Sequence, residues 1–168
     1  MSVQGVKDTF YSALRDRVAT GNPARTTVVR GMLRPGVVVV ENALPGAAVD
    51  GIALIETFCL RWTALRVDSL GMVIASCEIR YATDGSAGTA GMDRGRALAA
   101  MDGELRGALG ASPQFTTQLE FAEVAGGGAA SATDNGTRVF WGDLAFGPAV
   151  IRSERMERTA TVEVFGYE

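Results

Sequence analysis

Apolar residues recur along the chain with two different periods, and the switches between them mark out its elements. Val3, Val6, Phe10, Leu14 and Val18 return every three or four residues, with Lys7, Asp8, Arg15 and Arg17 between them. This spacing lays one apolar stripe along an α-helix, and Gly21-Asn22-Pro23 supplies its stop. Thr26 to Arg30 and Val37 to Glu41 read as short extended segments separated by the turn-forming Arg34-Pro35-Gly36. From Thr57 to Asp68 the period becomes two: Phe58, Leu60 and Trp62 point one way, and Thr57, Cys59, Arg61 and Thr63 the other. Met72 to Thr83 alternates likewise, with Val73, Ala75, Cys77, Ile79 and Tyr81 opposite Ser76, Glu78 and Arg80. Two such runs joined through Ser69-Leu70-Gly71 predict a hairpin with one buried face.

Helical spacing returns at Leu98, Met101, Leu105 and Leu109, with Asp93 placed to cap the start and Gly110 to end the helix. Three further strands are predicted at Phe115 to Val124, Thr137 to Val150 and Thr159 to Tyr167, and loops near 42–51, 84–92 and 125–136. No internal repeat interrupts this order. Helices segregated from paired strands predict a single α+β domain over residues 1–168. Its expected architecture is an antiparallel or mixed sheet of about four to six strands, with two main helices packed on one face.

Composition narrows the function. With 168 residues, 47% apolar and 21% charged, the chain is an ordinary folding sequence able to bury roughly 70% of its extended surface. The most apolar run, Val37 to Val40, is far too short to cross a bilayer of about 30 Å as a helix, so the protein is not expected in a membrane. Charges at Lys7, Asp8, Arg15, Asp16 and Arg17 break up the first eighteen residues, so no export signal is expected there. Cys59 and Cys77 have no Cys or His at ligand spacing and read as buried free thiols, in keeping with synthesis in the reducing cytoplasm.

The chain has no histidine, which removes the commonest general acid/base, the commonest metal ligand and the Ser-His and Cys-His nucleophile pairs. No catalytic, metal-binding or cofactor-binding residue is assigned, and the chain is not expected to be an enzyme. Every basic residue but Lys7 is arginine, yet the net charge is −3. Arginine is the better interface cation, although GC-rich coding produces the same bias. A sequence-specific nucleic-acid binder would concentrate positive charge instead.

Local patterns add little chemistry. Gly85-Ser86-Ala87-Gly88-Thr89-Ala90-Gly91 lies between a strand and a helix, where phosphate loops sit, but its glycine spacing matches neither nucleotide fingerprint and no lysine follows. Asp93 would also set a carboxylate where the anion belongs. Arg94 and Arg96 read either as solvated charges paired with Glu78 or Asp102, or as partners in a salt bridge between subunits. Glu154 and Glu157, interleaved with Arg152, Arg155 and Arg158, read as a solvated turn. Trp62, Trp141, Phe140 and Phe146 read as core or same-face sheet contacts. The run Val37, Val38, Val39 and Val40 has no polar side, so it is covered on both faces or paired with another subunit's sheet. Those four valines, with Arg94 and Arg96, are the candidate subunit interface.

Cys77-Glu78-Ile79-Arg80-Tyr81 on a strand, Met92-Asp93-Arg94-Gly95-Arg96-Ala97-Leu98 at a helix entry, Val139-Phe140-Trp141-Gly142, and the closing Thr161-Val162-Glu163-Val164-Phe165-Gly166-Tyr167 follow one another in order. In this arrangement the chain resembles tail terminator (tail-completion) proteins of long-tailed bacteriophages and related phage-like particles. The resemblance implies a virion structural protein of the tail or neck. It would form a homo-oligomeric, hexameric ring that caps the tail tube, stops its polymerisation and presents a surface to the head or neck. Its partners would be the tail tube protein and neck or connector proteins, with no cofactor. The generous loops at 42–51 and 125–136 keep a neck or head–tail connector role open. A small-molecule-binding module is the reading from another class; it would require an enclosed pocket with 85–91 at its mouth.

Overall fold

The computed structural model describes residues 3–29, 32–40, 55–84, 90–121, 132–152 and 154–167. Helix α1 covers Val3–Gly21 and buries Val6, Phe10, Leu14 and Val18, the stripe read from its spacing. Strands β1 (Thr26–Val29) and β2 (Met32–Pro35) pair antiparallel as a separate ribbon. Pro35 therefore belongs to a strand rather than to a turn. It sits at the last position of β2, where a residue with no N–H is tolerated, and only Gly36 forms the bend before β3 (Val37–Val39).

The main sheet holds eight strands, with β3 followed by β4 (Phe58–Val67), β5 (Met72–Thr83), β10 (Arg155–Tyr167), β7 (Ala132–Trp141) and β6 (Phe115–Phe121). The short β8 (Ala145–Phe146) and β9 (Val150–Arg152) also pair with β10. Among the described strands only β3 and β4 pair parallel, so the sheet is mixed. The predicted hairpin is present as β4 and β5. The strand count exceeds the expected four to six because the extended segment read at Val37 joins the sheet as β3, and because β8 and β9, two and three residues long, are too short to display an alternation. The predicted strand over Thr137 to Val150 is in fact the end of β7, then β8, then the start of β9. Residues 132–136, expected in a loop, continue β7. The expected loop at 42–51, and residues 85–89 and 125–131 of the other two, lie outside the described residues.

Helix α2 (Met92–Leu109) completes the fold and buries Leu98, Met101, Leu105 and Leu109. Asp93 is not its N-cap. Gly91, in the left-handed conformation at φ 81°, takes that position, and the Asp93 carboxylate accepts the Arg94 N–H from inside the first turn. Gly110 closes the helix, donating its N–H to the Arg106 carbonyl. Other carbonyls of the last turn, which no helical N–H can reach, are taken by side chains: Arg17 donates to Ala108, and the Trp141 indole to Leu109. Arg17 also lies 4.7 Å over the Trp141 ring. These contacts tie α1, α2 and β7 together at one end.

Both helices lie on one side of the sheet. Their buried residues form one cluster with Phe58, Leu60, Val73, Cys77, Ile79, Tyr81, Val139, Trp141, Val162 and Val164. Phe10 packs edge-on against both Trp62 and Trp141. At the start of β4 burial is not one-sided, since Thr57 and Cys59 are buried along with Phe58 and Leu60. Cys59 and Cys77 are buried thiols that reach the Thr57 and Glu78 carbonyls. A bulge at Thr63 shifts the register of β4, and it brings Leu65 and Val67 onto the side carrying Trp62, opposite Ala75 and Val73. The sheet curls until its edge strand β6 reaches α1, where the Thr9 hydroxyl donates to the Leu119 carbonyl and accepts the Leu119 N–H.

Candidate assembly surface

The Tyr81 hydroxyl donates to Asp102, and Arg158 lies 3.0 Å from the same carboxylate with its Nε–H not aimed along the contact. Burial, then the bond to Asp102, pushes the Tyr81 phenol well above its ordinary range, so it is not poised to exchange a proton near neutrality. The group holds α2 against β5 and β10. Two residues further along α2, Arg25 forms a forked pair with Glu104, at 2.7 Å and 2.6 Å, and Asn22 donates to the same carboxylate. Both clusters are struts between elements. Among the described residues no group of His, Cys, Asp and Glu could hold a metal ion, and no helix is long and apolar enough to cross a membrane.

The expected solvated turn around Glu157 is different. Glu157 is 5% exposed and lies 3.4 Å from both Arg80 and Arg152. Its position in β10 aims it at the face of the sheet away from the helices, where β9 folds beside it. Sequence spacing showed the mixed charges but not the strand pairing that buries one of them.

The candidate interface residues separate. Val37 is inside the subunit's own core, whereas Val38, Val39 and Val40 are half-buried. β3 is the last strand at its edge of the main sheet. Arg94 is bound within the chain: its guanidinium donates to the Glu154 carbonyl at 2.7 Å, which ties the start of α2 to the β9–β10 turn. Arg96 is exposed on the next face of the helix. The structure does not bring the valines and these arginines together, since they stand at β3 and at the start of α2.

What strand pairing does assemble is a row of apolar side chains. Phe115 stands opposite Phe140, Phe140 opposite Phe165, and Phe165 opposite Ile74. Directly paired residues share a face, and the neighbours Val139, Trp141 and Val164 are buried beneath the helices, so the row lies on the other side. The Phe115 and Phe140 rings are 5.5 Å apart, and Arg138 lies 4.6 Å over Phe115. Phe140 is 41% exposed, and Tyr167, two residues beyond Phe165 on the same face, is also exposed. Among the described residues, no helix covers this face. A scan against protein-family models finds no match, and a search of curated proteins finds none either. The outer face was missed in the sequence because its members come from β5, β6, β7 and β10, each contributing one or two residues.

Proposed function

We propose that the chain is a virion structural subunit, a tail terminator that caps the tail tube as an oligomeric ring and offers a surface for joining to the head or neck. The observation that carries this reading is the apolar row Phe115, Phe140, Phe165 and Ile74 on the uncovered face of the sheet. A contiguous apolar patch on a soluble face marks a surface that another protein covers, and its aromatic rungs are the side chains that contribute most at such contacts. The sequence resemblance supplies the kind of partner, a tail tube protein. A neck or connector position would use the same face.

The test adds the purified protein to polymerising tail tube protein and measures tube length by electron microscopy. Wild type is expected to shorten the tubes and sit at one end. Phe140→Glu, which changes an exposed side chain and should leave the fold intact, is expected to leave them long. Tubes of unchanged length with wild type would refute the terminator reading, and capping by Phe140→Glu would move the contact elsewhere.

A further inference from the structure

Six residues along β5 from Ile74, and six back along β10 from Phe165, Arg80 stands opposite Thr159. Both places lie on the outer face of the sheet, roughly 20 Å apart at about 3.3 Å per residue. At the second, the segment carrying β8 and β9 lies beside β10 and, with β4 and β5, walls a recess of about 460 Å³.

The charged walls are Arg61, Glu78, Arg80, Arg152 and Glu157. Arg158 also borders the recess, but its guanidinium is committed to the Gly147 carbonyl and to Asp102. Arg80 and Arg152 each lie 3.4 Å from the same oxygen of Glu157, whose other oxygen is buried and meets no donor. One carboxylate therefore balances one of two guanidinium groups, and the Arg152 side chain stays 64% exposed. Arg61 stands opposite Glu78 in the β4–β5 ladder, exposed and without an ion pair among the described residues. Three arginines thus face two glutamates, a local positive excess in a chain whose net charge is −3. Arg66, opposite Ile74, and Arg138, over Phe115, add positive charge beside the aromatic row. Between row and recess Glu163, opposite Ser76, is exposed, so an acidic group is repelled from that strip and received at the recess.

From this geometry we infer that the recess receives an acidic segment of the protein that covers the aromatic row, with a carboxylate held between Arg61 and Arg152. Planar guanidinium groups suit a carboxylate, which they can grip through two N–H donors at once. Glu78 and Glu157 disfavour a nucleic acid, whose run of phosphates would meet both. The inference rests on the reading of the outer face as an assembly surface and adds the chemistry of the partner: an apolar anchor and, roughly 20 Å from it, a carboxylate.

Fluorescence anisotropy with labelled hexaglutamate tests the recess on the isolated protein, using wild type, Arg61→Glu, Arg152→Gln and Arg106→Glu. All three positions are exposed, circular dichroism verifies each fold, and Arg61→Gln serves if Arg61→Glu does not fold. Wild type is expected to bind the peptide at low ionic strength and release it at high ionic strength. Arg61→Glu and Arg152→Gln are each expected to weaken binding about tenfold, whereas Arg106→Glu, which makes the same charge change on α2, should leave it unaltered. No binding to wild type, full binding by Arg61→Glu, or an equal loss in Arg106→Glu would overturn the inference. Tighter binding of an oligothymidylate of equal charge would also overturn it, because the recess would then suit phosphates. Hexaglutamate binding with tube length unchanged would refute only the terminator role, and capping of tubes by a wild type that ignores hexaglutamate would refute only the acidic contact.

Discussion

Glu104 shows how one side chain couples position to pH. Burial by itself would raise its pKa, but hydrogen bonds from Arg25 and Asn22, with the charge of Arg25, outweigh burial and hold it below the ordinary carboxylate range. A carboxylate whose folded pKa is depressed contributes stability that is complete above its unfolded value of about 4.3 and is lost as the pH falls through the folded value. The urea midpoint of wild type is therefore expected to drop on acidification below about pH 4.3. Glu104→Gln should lose about 2 kcal/mol at neutral pH by breaking the forked pair, and its midpoint should vary less in the acid range. An unchanged acid dependence in the variant would show that other carboxylates govern it. Trp141→Phe tests the closure of α2 in the same way: it removes the indole bond to Leu109 and weakens the contact with Arg17. The expected loss is about 1–2 kcal/mol in a thermal or urea melt.

At the scale of elements, the valine run divides along the pleat. Val37 faces the core and stands opposite Phe58, whereas Val38 stands opposite Cys59 on the other face of β3. A carboxylate at 37 would be buried without a partner, at a cost of several kcal/mol, and Val37→Asp is expected to unfold the subunit. Val38→Asp, at a half-buried position on an edge strand, should keep a cooperative melt with a smaller loss. Equal destabilisation by both, measured by circular dichroism, would mean that the outer side of β3 is as fully packed as the inner one. At both edges of the main sheet a side chain of α1 reaches the backbone: Thr9 satisfies Leu119 of β6, and the Tyr11 hydroxyl donates to the Val37 carbonyl of β3 at 3.4 Å, which blunts both against strand addition.

At the scale of the whole molecule, one layer of helices on a curled sheet leaves a face uncovered among the described residues, and one long hairpin leaves a projecting tip. Phe140→Glu should abolish capping of tubes yet keep the native mass of wild type. If it gave monomers, the aromatic row would itself belong to the contact between copies.

Periodicity alone established both helices, the β4–β5 hairpin and nearly all of the core, because each is a local pattern in which burial of one face repeats every two or 3.6 residues. Phe10, Leu14, Ile79, Tyr81 and Leu105 were legible for that reason, and all are fully buried. The absence of histidine and the lone Lys7 were equally plain. Tertiary structure decided everything that depends on which strands become neighbours. It buried Glu157 among arginines from other positions, bound Arg94 within its own subunit, and divided the valines between the core and an edge. It also aligned Phe115, Phe140, Phe165 and Ile74 into one row and set Arg61, Arg80 and Arg152 around one recess. These features join residues far apart in the chain, and strand register and helix placement, which bring them together, follow from the packing of the entire core rather than from any local run of residues.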